Sequence, residues 1–265
     1  MNRSVRGLAV VLAAVLLWPG GAGAQQAKPY EPEIGQGGKD VVWVPTPDAL
    51  VELMLDMARV TPDDVVMDLG SGDGRNVIAA AKRGARAIGV EFNPDMVALA
   101  RDLADEAGVG ARATFVEGDM FKADVSKASV LALFLLPDNL EQLTDAFLRL
   151  APGSRIVLNT FAIPGWEPDE ERHVGGECTS WCTALLYLVP AQVDGRWTTP
   201  DGTLELTQTF QMVRGTLSGA DGTRTVTGRL RGTALTLDVE GRPLTGTVVG
   251  DRITGDGWQA TRAGR

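Results

Sequence analysis

Three carboxylates stand at or just past the ends of short apolar runs: Asp68 in residues 65–69, Glu91 closing residues 87–91, and Asp119 after residues 113–117. Directly after the first comes Gly70-Ser71-Gly72-Asp73-Gly74-Arg75, a turn whose glycines let a ligand approach the backbone closely. A dinucleotide turn has the form G-x-G-x-x-G and seats a pyrophosphate on the following helix. Here Arg75 takes the third glycine's place, and Asp68 puts a negative charge where a phosphate would lie. That charge suits the ammonium end of S-adenosylmethionine, so the turn favours a cationic aminoacyl nucleoside over NAD. Glu91 is placed to accept from both ribose hydroxyls, a device that NAD sites share. Asp119 is placed to accept from an adenine amino group, with Met120 covering the ring face. Any one of these acids reads as a solvated loop residue. Three at successive strand ends read as a site.

The elements that must hold these residues alternate. Thr46 can cap a helix whose first turn holds Pro47, with Leu50, Leu53, Met54 and Met57 at helical spacing. Strands are expected at residues 65–69, 87–91, 113–117, 130–136, 155–161 and 184–189. Helices are expected at residues 75–83, 94–107 and 140–150, which makes a sheet of parallel strands. After Pro190 the composition shifts: Gly, Thr and Arg dominate, and short alternating stretches such as residues 204–207, 210–213, 225–227, 235–237 and 247–249 recur between glycine-bearing turns. That pattern predicts an antiparallel β meander or small barrel, part of which (residues 204–213) is a candidate seventh strand of the main sheet. The boundaries expected are 1–24, a signal peptide; 25–45, an extended leader; 46–190, the cofactor domain; and 191–265, the β-rich domain.

Val44-Pro45-Thr46-Pro47, residues 68–75 and residues 84–94 resemble bacterial class I methyltransferases, which are similar in turn to the lysine methyltransferases of the ATP synthase c subunit and the adenine nucleotide translocase. The resemblance spans about residues 41–168, including Pro152-Gly153-Ser154 and Trp166-Glu167-Pro168. It implies an α/β fold, a Rossmann-like seven-strand sheet with helices on both faces, using S-adenosylmethionine. It also implies that Asp68, Gly70 and Gly72, with Ser71 between them, surround the methionyl part, that Glu91 meets the ribose and Asp119 the adenine, and that Thr46 lies near the cofactor carboxylate. The acceptor it implies is a protein lysine or small amine. A small-molecule methyltransferase, with residues 162–182 as a lid, and an exported adenosyl-ligand binder without catalysis are the competing readings.

Methyl transfer from a sulfonium is an in-line displacement that needs a general base only if the nucleophile arrives protonated. The reaction edge lies past strands four and five. Phe134, Asp138 and Asn159 are the candidates there, with Phe161 as a second wall for a lysine channel. Asp138 is equally a helix-capping residue. His173, the one histidine, lies in a polar stretch that reads as a loop.

Net charge is −9, which disfavours nucleic acid as a partner, and the Asn/Asp-Pro-Pro-aromatic motif of base methylation is absent. Arg3, Arg6, the apolar residues 8–18 and Ala22-Gly23-Ala24 read as a signal peptide cleaved near Ala24. The run is shorter than the roughly 20 residues that span a bilayer, so no stable membrane anchor is expected and the chain is read as exported, periplasmic or secreted. Cys178 and Cys182 form a disulfide, remain free thiols, or contribute to a metal site with His173; the spacing leaves these open, and no metal site is adopted.

Overall fold

The computed structural model describes residue 1, residues 30–176 and residues 178–264; residues 2–24, read as most of a signal peptide, lie outside the described residues. Strands covered on both faces need apolar residues at every position rather than at alternate ones. β4 (Val130–Leu133) meets that need with all four residues buried, and β1 (Val65–Leu69) meets it at every position but Asp68, with four of five residues buried. They form the middle of a seven-stranded sheet with β2 (Arg86–Glu91), β3 (Ala113–Glu117), β5 (Arg155–Asn159), β6 (Glu170–His173) and β7 (Thr183–Leu188), in the order β3-β2-β1-β4-β5-β7-β6. β1 to β5 are parallel, while β7 runs antiparallel to both its neighbours, so the sheet is mixed rather than wholly parallel.

Helices cover both faces. α1 (Asp48–Met57), α2 (Arg75–Lys82) and α3 (Pro94–Glu106) pack Leu50, Val77 and Val97 with Val66 and Val130 on one side. α4 (Pro137–Leu148) packs Leu140, Leu143 and Phe147 with Met67 and Leu131 on the other. Successive residues of β1 and β4 thus serve opposite cores, as strand pleating requires. Order reverses between β1 and β4. The loops that follow those strands diverge there and leave a crevice at the carboxyl edge.

Beyond the sheet, β8 (Gly195–Thr199), β9 (Gly202–Thr209), β10 (Met212–Gly219), β11 (Gly222–Arg231), β12 (Ala234–Val239), β13 (Arg242–Val249), β14 (Arg252–Gly255) and β15 (Trp258–Arg262) form a closed antiparallel barrel. β15 pairs with β8 to shut it, which leaves no free edge. Its alternating inward residues, among them Leu204, Leu206, Leu235 and Leu237, surround the fully buried Trp197. Trp166 stacks on Phe210 at 5.2 Å between ring centroids, and Gln211 donates to the Glu167 carbonyl at 2.8 Å, joining barrel to sheet.

Several expectations change. Residues 204–213 do not complete the main sheet; they belong to the barrel, and residues 210 and 211 form the turn between β9 and β10 rather than part of one strand. The remaining sheet strand is Glu170–His173, four residues whose charges disguised it as a loop and suit an exposed edge. α4 begins at Pro137, and Asp138 lies exposed in its first turn without capping it. α1 is entered through Pro47, and Thr46 does not cap it.

Candidate functional site

Asp68 lies near the end of β1 and is 3% exposed. Its Oδ2 accepts from Asn76 Nδ2 of α2 at 3.0 Å, and among the described residues it joins no salt bridge. Burial drives its pKa well above the usual carboxylate range. The Asn76 hydrogen bond opposes that, and the negative charges of Glu91 and Asp73 add to it. A buried anion without a cation is costly to keep, so the site is built for a positive charge to enter.

The turn after β1 is bound to the neighbouring strand: Gly70 and Ser71 N–H groups donate to the Val90 carbonyl at 2.8 and 3.1 Å. Gly72 has φ +55°, and a Cβ there would lie 2.6 Å from Trp43 Nε1, so the turn and the segment before α1 close-pack only through a glycine. Glu91 is fixed by backbone: its two oxygens accept from Gly72 N and Asn93 N, both at 2.9 Å. Lone pairs remain for a further donor. Asp119 accepts from Lys39 Nζ at 2.8 Å and from Phe121 N at 3.0 Å. The Lys39 hydrogen bond is the main reason its pKa falls below the usual value. Thr46 is buried; its Oγ1 accepts from Asn159 Nδ2 at 3.2 Å and its carbonyl from Arg75 at 2.7 Å.

The eight cofactor residues read from the sequence, Thr46, Asp68, Gly70, Ser71, Gly72, Glu91, Asp119 and Met120, all line one cavity. Phe134 and Phe161 line it too. Of the other candidates, Asn159 is fully buried beneath Thr46 and does not line the cavity, and neither does Asp138. His173 faces Thr183 Oγ1 and Glu171 at the exposed edge strand. Sequence reasoning missed two contributors. Residues 36–46, read largely as a leader, fold over the cavity with Lys39 and Trp43 in its lining; the apolar residues 41–44 were the available signal. Trp181, not singled out although it falls within residues 162–182 read as a candidate lid, lines it from the segment between β6 and β7.

Residues 68–170 match the ANTKMT methyltransferase domain. A protein-lysine N-methyltransferase of Saccharolobus islandicus is 43% identical over 133 residues, covering 49% of this chain and 83% of that protein. The human lysine N-methyltransferase of the ATP synthase c subunit is 38% identical over 167 residues, 57% of this chain and 70% of the human protein. The chain belongs to this methyltransferase family. A crystal structure described as an RNA methyltransferase from Salinibacter ruber, with S-adenosyl-L-homocysteine bound, shares 41% identity at a TM-score of 0.53, over 57% of this chain and 96% of that one. The family match ends before the barrel begins.

This methyltransferase uses S-adenosylmethionine, and the residues present fit it. Asp68 is a buried acid that an ammonium group would pair. Among the described residues Ser71 Oγ is buried without a hydrogen-bond partner, and Glu91 is preset by two backbone donors. When bound, the cofactor supplies a methyl group made electrophilic by a sulfonium.

Proposed function

We propose that this methyltransferase acts on the side-chain amine of a protein lysine. The observation that carries the reading is the acceptor side of the cavity. Past β4 and β5 it is walled by Phe134, Leu135, Leu136 and Phe161, and none of these can titrate. Such a wall admits the long apolar stem of a lysine and excludes water, and it has no side-chain hydrogen-bonding group to read a base edge or a sugar. The relatives named as lysine methyltransferases support the same class of acceptor.

With Asp138 and His173 away from the cavity, the amine sheds its proton to water before entering. Its lone pair then forms the N–C bond as the C–S bond breaks, and that electron pair leaves on sulfur. The chain's part is to align and dry the reactants. Rate therefore rises with pH as the lysine deprotonates. Tritiated cofactor incubated with whole-cell extract, followed by separation of protein from RNA and mass spectrometry of labelled peptides, tests the reading: methyl groups on lysine are expected. Label confined to RNA would replace it with the reading that the Salinibacter ruber structure's description favours, against which the net charge of −9 weighs.

We also propose that the protein works outside the cytoplasm. Its two cysteines are paired, as is usual in oxidising compartments, and the first 24 residues have a signal peptide's pattern. Fractionation that found the protein wholly cytoplasmic would overturn this.

A further inference from the structure

The segment joining β6 to β7 carries both cysteines, and Cys178 is bonded to Cys182 with Cα atoms 5.9 Å apart. Trp181 lies inside the ring so closed, with φ +57°, a left-handed conformation that bulky residues rarely adopt. Past it the chain is anchored: the Cys182 carbonyl accepts from Val174 N and the Thr183 carbonyl from Thr160 N, both at 2.8 Å. Ahead of it, the disulfide ties Cys178 back to that anchor.

What this arrangement holds in place is a third aromatic face. The Trp181 ring centroid lies 5.3 Å from Phe134 and 5.5 Å from Phe161, tilted 60° and 57° to them. Those two rings are themselves 6.1 Å apart and within 19° of parallel. All three line the cofactor cavity, at its β4 and β5 side. Aromatic faces attract ammonium and methylated ammonium groups through their quadrupoles, most strongly tryptophan's. An amine that attacks a methyl group becomes positively charged as the bond forms, so such faces favour the charge where it develops.

We propose that Trp181 determines acceptor specificity, selecting an alkylamine head group that is or becomes cationic. We propose further that the Cys178–Cys182 disulfide positions it, so that reduction weakens acceptor recognition and spares cofactor binding. This rests on the amine-acceptor reading above.

The test uses the full chain loaded with S-adenosyl-L-homocysteine and tetramethylammonium as the probe, followed by its NMR line broadening. The control is 3,3-dimethyl-1-butanol, an alcohol whose uncharged tert-butyl head has the shape of the probe's methylated head. Oxidised wild type should broaden the tetramethylammonium line and leave the alcohol's sharp. Trp181→Ala should lose at least about fivefold in probe affinity, the size expected of a cation–π contact, and Trp181→Phe should keep part of it. Dithiothreitol, or the pair Cys178→Ser with Cys182→Ser, should weaken probe binding in the same direction. Calorimetric affinity for S-adenosyl-L-homocysteine should stay within about threefold in every case, which excludes misfolding.

Unchanged probe binding in Trp181→Ala, or equal binding of the alcohol, overturns the assignment of Trp181. Unchanged binding after reduction overturns the positioning role of the disulfide. If lysine is labelled in the tritium experiment yet Trp181→Ala binds the probe like wild type, this inference fails alone. If probe binding depends on Trp181 and no lysine is labelled, the proteinaceous acceptor fails and the cationic slot stands.

Discussion

Asp64 and Asp68 lie at the two ends of one strand, both buried, and their environments push them in opposite directions. At the amino edge burial would raise the pKa of Asp64, but the Arg155 guanidinium, Ser129 Oγ and Thr61 N–H outweigh it and the net shift is down. At the carboxyl edge Asp68 has an amide for a partner and two negative neighbours, and its pKa rises. The first carboxylate is satisfied within the fold and stabilises it. The second is left for something outside the chain to satisfy. A buried group whose charge the protein does not neutralise is the mark of a ligand site, and β1 has Asp64 just before its first residue and Asp68 near its last.

Linkage gives the two ends opposite pH signatures. The stability that Asp64 contributes is present above the unfolded carboxylate value and is lost as pH falls through its lowered folded one. Asp68 acts the other way: the cofactor-free fold holds its proton more tightly than the unfolded chain, and loses stability as pH rises through the raised value.

Substitutions sharpen the contrast. The largest effect is expected from Asp68→Asn, which removes the counter-charge for the ammonium group. S-adenosylmethionine affinity by calorimetry should fall about 100-fold or more, the equivalent of about 2.7 kcal/mol. The cofactor-free protein should melt about 2–4 °C higher, since the fold no longer holds a carboxyl that ionises more readily in the unfolded chain. Asp64→Asn should show the mirror image: stability falls by about 2 kcal/mol because Arg155 loses its counter-charge and one of the two accepting oxygens becomes a donor, while cofactor affinity stays within about twofold. A loss of cofactor binding there with stability intact would erase the distinction between the two edges. Gly72→Ala is a smaller perturbation of the ligand side. Its Cβ meets Trp43 and its backbone is left-handed, so cofactor affinity should drop about tenfold, with a fall in melting temperature of about 2–4 °C from the strain.

The grouping of these residues around one cavity was legible because they sit at strand ends, where apolar runs stop and polar side chains stand out. Asp68, Glu91 and Asp119 needed only the positions of three strands to be brought together. The acceptor side was less so. Trp181 reaches Phe134 through a disulfide and an irregular segment that no periodicity encodes, and Lys39 reaches Asp119 across 80 residues of chain. Edge strand Glu170–His173 was hidden because a strand that faces solvent carries the charges of a loop. The barrel's alternation was plain, but its closure was not: β8 and β15 are short, and their pairing of Thr198 with Thr261 and Trp197 with Arg262 is set by the barrel's shape rather than by local pattern.

The account turns on Asp68 accepting a cation in its ionised form. Calorimetric titration of S-adenosylmethionine at a series of pH values rising from the usual carboxylate range, in buffers of differing ionisation enthalpy, measures this directly. Affinity should strengthen as pH rises and binding should release a proton in wild type, with both effects absent in Asp68→Asn. Affinity flat across that series with no proton release, or equal affinity in the variant, would contradict it.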